Sequence, residues 1–130
     1  MPEKTEYELD GDRFSTLEEF AQHFSERVLS EHEWNGNLDA FNDILRGAFG
    51  TPELRFKLIW RNSNVSKQRL GYPETVRQLE KRLAKCHPIN RDAVAADLHS
   101  AQQAHGPTVF DWLVEVISEH CEDGVELELR

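Results

Sequence analysis

The sequence predicts an α/β domain with more helix than sheet, built on a small three-stranded parallel sheet. Three observations predict it. Short segments of alternating character stand near both ends and the middle of the chain: TEYEL at 5–9, LRFKLIW at 54–60 and VELEL at 125–129. Helical periodicity fills the intervals between them. Those intervals are long enough for the crossovers that parallel strands require.

Each element follows in order. Asp10-Gly11-Asp12 reads as a turn after the first strand. In STLEEFAQHFSERVL, Ser15 precedes Glu18 by three residues, the spacing of a capping box. Leu17, Phe20, Phe24 and Val28 then recur at helical spacing and predict an amphipathic helix to about Leu29. Residues 30–36 read as a polar loop. Asn37 is a good N-cap for a second helix to about Arg46, with Gly47 and Gly50 marking its end. In the second strand Leu54, Phe56, Leu58 and Trp60 alternate against Arg55 and Lys57. A polar stretch, RNSNVSKQRLG, leads into YPETVRQLEKRLAKCH. There Pro73 suits a first helical turn, and Val76, Leu79, Leu83 and Cys86 form one stripe. Pro88 ends that helix. NRDAVAADLHSAQQAH is a further helix, closed by Gly106. Pro107 opens PTVFDWLVEVISEH, a mostly buried helix whose narrow wet face is Asp111, Glu115, Ser118 and Glu119. VELEL closes the sheet.

The chain has 130 residues, enough for one domain with a real core. Its formal charge of −9 repels nucleic acid and anionic membranes and favours basic protein partners. The first twenty residues carry neither a basic leader nor an apolar core, and no run of eighteen apolar residues occurs. Two cysteines, Cys86 and Cys121, do not make a disulfide framework. These features lead us to expect a cytoplasmic protein that contacts neither nucleic acid nor membrane directly.

The most informative stretch is WNGNLDAFNDILRG, 34–47. On a helix, Leu38, Phe41, Ile44, Leu45 and Ala48 share one arc, facing the core. Asp39, Asn42, Asp43 and Arg46 share the opposite arc and are expected at the surface. An amphipathic helix has a polar face in any case, and an acid near its start suits the helix dipole. However, Asp39 and Asp43 stack at i, i+4, where like charges cost a little helix stability. Trp34 and the Asn35-Gly36 turn lead directly into that face.

This stretch, with FSTLEEFAQHFSERVL before it and a strand after it, resembles the barstar family of intracellular ribonuclease inhibitors. The similarity lies in Trp34, Asn37, Leu38, Asp39, Ala40, the apolar Phe41, Asp43 and Gly47, and again in the last helix and strand. It covers about 5–60 and 107–129. The resemblance implies a three-stranded parallel sheet with packed helices and a non-enzymatic inhibitor. Its loop and second helix would plug the nuclease active site, carboxylates taking the place of substrate phosphates. Asp43 matches the family's phosphate-mimicking aspartate and Asp39 its companion. Asn37 and Trp34 match loop residues at or near the interface. Asn42 and Ala48 stand where the family pattern has tryptophan, Glu33 where it has tyrosine, and Asn35-Gly36 where it has Gly-Glu. Pro107 falls where a late interface glutamate is expected. These departures imply a different nuclease or a more polar interface.

The expected partner-binding set is therefore Glu33, Trp34, Asn35, Gly36, Asn37, Asp39, Asn42, Asp43 and Arg46. The partner is a basic ribonuclease or nuclease toxin, bound by a protein that is monomeric when free. Residues 62–106 read as two extra helices inserted before the last helix and strand. Their relatively basic character (Arg69, Arg77, Lys81, Arg82, Lys85, Arg91) suggests that they fold back on the acidic body or meet another partner face. The alternative function is a regulatory module of the same fold that binds a non-nuclease protein through those helices.

The pairs Cys86-His87 and His120-Cys121 supply zinc-type ligands, but adjacent ligands lack the usual spacing, and no metal or cofactor is expected. His120 is explained by the dipole at a helix end. No Gly-rich phosphate loop or nucleophile motif occurs, Ser63 and Ser66 read as helix caps, and no catalytic residue is expected.

Overall fold

The computed structural model describes residues 5–29, 34, 37–45, 56–121 and 124–130. Three strands, β1 (Thr5–Asp10), β2 (Phe56–Arg61) and β3 (Val125–Leu129), form a parallel sheet in the order β1-β2-β3. Thr5 pairs in register with Phe56, and Phe56 with Val125. The expected fold class is the observed one. The start of the second strand, Leu54 and Arg55, lies outside the described residues.

The helices are α1 (Leu17–Arg27), α2 (Leu38–Leu45), α3 (Ser63–Arg69), α4 (Tyr72–Lys85), α5 (Arg91–Gln102) and α6 (Val109–Glu119). Phe20 and Phe24 of α1, Phe41 of α2, Leu113 and Ile117 of α6, and Phe56, Leu58 and Trp60 of β2 are all fully buried in one core. The opposite sheet face is polar. There Ile59 is buried at a register position between Glu8 and Glu128, which pair with Arg61 and Lys57. The aliphatic stems of such charged side chains can cover an apolar neighbour while their heads stay wet.

The cap of α1 lies one residue later than the sequence suggests. Thr16, not Ser15, accepts from Glu19 N, and Glu19 Oε1 returns to Ser15 N at 2.9 Å. The turn at 10–12 is a single 3-10 turn in which Asp10 Oδ1 accepts from Asp12 N. Gly11 is buried there, and a Cβ on it would stand 2.3 Å from Ser66 Oγ and 2.4 Å from Asn62 O. No larger residue fits that approach.

Between β2 and α6 the described residues form three α-helices where the sequence suggests two, because α3 lies in the stretch read as a polar connection. Its buried residues are serines, so it has no apolar stripe to see. Ser63 and Ser66 are not caps. Ser63 Oγ donates to Arg130 O at 2.9 Å, and Ser66 Oγ accepts from the buried indole of Trp60 at 2.9 Å. The residue before α3, Asn62, holds φ 54°, a left-handed conformation that Asn tolerates well.

The first turn of α4 caps two other helices. Glu74, 6% exposed, accepts from Leu17 N of α1 at 2.9 Å, and Thr75 Oγ1 accepts from Val109 N of α6 at 2.9 Å. The first N–H groups of a helix have no partner within it, so these bonds satisfy buried donors that would otherwise be orphans. Arg77 bridges Glu74 and Glu18, and Lys81 reaches Glu18. Arg69 meets Asp12 at 3.4 Å. The basic segment thus folds back on the acidic body, one of the two outcomes its charge suggests. Burial opposes the charge on Glu18, but hydrogen bonds from Lys81, Arg77 and Gln78 outweigh it and hold the carboxyl down to about 2.

Candidate functional site

The candidate face is built from the α1 end outward. Ser25 Oγ donates to Ala21 O and accepts from Trp34 N at 2.8 Å, which ties the loop to α1. The indole of Trp34 is 5% exposed and stacks on Phe41, with centroids 4.3 Å apart and planes 14° from parallel. It also meets Phe20 and Phe24 edge-on. Trp34 therefore faces inward, and its contribution to a surface is to position the start of α2.

Asn37 completes the positioning. Its carbonyl accepts from Trp34 Nε1 at 2.7 Å and from Phe41 N at 3.0 Å. Its side-chain oxygen accepts from Asp39 N and Ala40 N, at 2.9 and 3.1 Å, which makes it the N-cap the sequence predicts. On α2, Phe41, Ile44 and Leu45 are buried, Leu38 is half-buried, and Asp39 and Asp43 are exposed. Among the described residues neither carboxylate makes an ion pair. Their charges are available to a partner and held on a helix whose first turn is fixed on both sides.

Asn42 lies on the same arc but is half-buried, and its Oδ1 is 2.9 Å from Nε2 of His120. His120 is 3% exposed at the end of α6, so its place is set by this contact as well as by the helix end. Asn42 thus joins α2 to α6 from within the chain. Of the remaining expected contacts, Glu33, Asn35, Gly36 and Arg46 lie outside the described residues, as does Ala48.

Beside this face a groove of about 610 Å³ lies between the start of α2 and α4. Asn37, Leu38 and Asp39 line one wall, and Gln78, Lys81, Arg82 and Lys85 the other. Arg82 lies 5.2 Å from the ring centre of Trp112 on α6. Sequence reasoning did not single out this groove, because nothing in the pattern says that α4 returns beside α2. Among the described residues no group of three or more His, Cys, Asp or Glu is arranged to hold a metal ion, and no helix is long and apolar enough to cross a membrane. Cys86 is half-buried and Cys121 exposed.

The family model described as Barstar (barnase inhibitor) matches residues 5–96, well over half of the chain. This chain belongs to the barstar family. Comparison with curated proteins finds no match. The matched range begins in β1 and ends in α5, and so extends past residue 60. Placing the match on the structure puts α4, which caps α1 and α6, within the family region. The family is one of ribonuclease inhibitors rather than enzymes.

Proposed function

We propose that this barstar-family chain is a cytoplasmic, monomeric inhibitor of a basic ribonuclease or nuclease toxin. The face of α2 enters the nuclease active site, and Asp39 and Asp43 take the positions of substrate phosphates. Asn37 contacts the partner beside them. Glu33, Asn35, Gly36 and Arg46 belong to the same contact by their place in the sequence, while Trp34 and Asn42 act mainly by positioning.

One observation carries the reading: two exposed carboxylates, without ion pairs among the described residues, stand one turn apart on a helix pinned by Trp34 and Asn37. A nuclease that binds a polyanion presents clustered Arg, Lys and His. A rigid pair of carboxylates suits that cluster, since charge-assisted and bidentate contacts with Arg are strong and little ordering entropy remains to be lost.

Asp43→Ala tests it. Residues at the centre of an interface typically cost about 2 kcal/mol or more on truncation, about 30-fold in Kd. A loss of that size in a variant with native circular dichroism supports the reading. Undiminished binding overturns it and favours a module that binds through 62–106. The bonds from Glu74 and Thr75 to α1 and α6 speak for a bracing role of that segment.

A further inference from the structure

The groove between α2 and α4 has walls of opposite sign that do not close on each other. Asp39 stands on one wall, with Lys81, Arg82 and Lys85 on the other. Lys81 is engaged with Glu18, and Arg82 lies over Trp112. Lys85 is exposed at the last turn of α4 and makes no ion pair among the described residues. Asp39 makes none there either. Two opposite charges that line one groove without meeting leave room for an element that answers both.

We infer that this groove receives an acidic side chain of the partner, with Lys85 as its counter-charge and Arg82 at its edge. The inference rests on the inhibitor reading above and adds to it the partner's charge pattern. If Asp39 meets a cation of the nuclease, the neighbouring partner atoms enter a groove with a cationic far wall. An entirely basic partner surface would bring like charges together there. A partner whose cationic centre is bordered by a carboxylate satisfies both walls. The recognised chemistry is therefore a cation and a carboxylate side by side, not a uniformly basic patch.

Charge reversal at Lys85 gives a test whose sign decides. On a chain of net charge −9, Lys85→Glu adds acidity and should favour association with any uniformly basic protein. The probe is the basic nuclease recovered by the wild-type chain. Its Kd is measured with wild type, Lys85→Glu, Lys85→Ala and Asp43→Ala, each checked for native circular dichroism. We expect Lys85→Glu to raise Kd about tenfold, because an interfacial ion pair is replaced by repulsion, and Lys85→Ala to raise it less. A Kd unchanged or lowered by Lys85→Glu overturns the inference. If Asp43→Ala still weakens binding in that case, the inhibitor reading survives alone. If Asp43→Ala has no effect, or no basic nuclease is recovered, the inhibitor reading falls and this inference with it.

Discussion

Trp34 and Asn37 hold each other: the indole Nε1–H donates to the Asn37 carbonyl at 2.7 Å while the Asn37 side chain caps α2. The aromatic residue that looks from the sequence like a surface contact is the bracket that aims the acidic helix. Asp39 and Asp43 owe their fixed direction to it.

That bracket can be cut in two ways. Trp34→Phe keeps most of the stacking on Phe41 and loses the bond to Asn37, so stability should fall by about 1 kcal/mol. Trp34→Ala also empties a large core site and should cost about 3–5 kcal/mol. Denaturant unfolding checks both. The same loss for the two variants would show that the indole N–H, and not the ring, carries the role.

Glu74 is buried and accepts from Leu17 N, Arg77 and Gln78. Glu74→Ala leaves a buried backbone donor without its acceptor and should destabilise the fold by about 2–3 kcal/mol. Glu80→Ala on the exposed side of α4 should change stability by less than about 0.5 kcal/mol. Equal effects in urea unfolding would contradict the capping role.

Stability should fall with acid in two steps. His23 is buried, its Nε2 accepts from Asp10 N at 3.0 Å, and burial first and Arg27 second push its pKa below the ordinary 6.5. The folded state therefore prefers neutral His23. Its contribution is complete above about pH 6.5 and is lost as pH falls through the lowered folded value. Glu18, held at about 2 against an ordinary 4.5, contributes fully above 4.5 and loses that contribution as pH falls towards 2. Since Glu18 is partly exposed, solvent screening keeps its step small. Urea midpoints between pH 8 and 3 check this, and His23→Gln should remove the first step only.

Two backbone positions give opposite signs. Gly11→Ala drives a Cβ into Ser66 and Asn62 and should cost about 2–3 kcal/mol. Ala104 holds φ 59°, where a Cβ is strained, so Ala104→Gly should stabilise by up to about 1 kcal/mol. Thermal unfolding of both variants checks the pair.

The fold was largely legible because its signals are local. Alternating strands, the Leu17-Phe20-Phe24-Val28 stripe and the Asn37 cap each follow from near neighbours in sequence. What was not legible depends on pairing at a distance. α3 buries Ser63 and Ser66, which read as helix caps until Arg130 and Trp60 arrive from other elements. The capping role of Glu74 and Thr75 exists only once α1 and α6 bring their open N–H groups to them. On the site, the acidic arc of α2 could be drawn from helical spacing alone. The inward turn of Trp34, the Asn42–His120 contact and the cationic wall of α4 could not, because each needs two segments placed side by side.

The most direct test of the central claim is a comparative pull-down from the lysate of the producing organism. Tagged wild-type chain is run beside an Asp39→Ala/Asp43→Ala variant with native circular dichroism, and recovered proteins are assayed for RNA cleavage. Recovery by wild type alone of a basic ribonuclease, silent in the complex and active when released, is the predicted result. Recovery of the same protein equally by both baits would contradict the claim and move the binding surface away from α2.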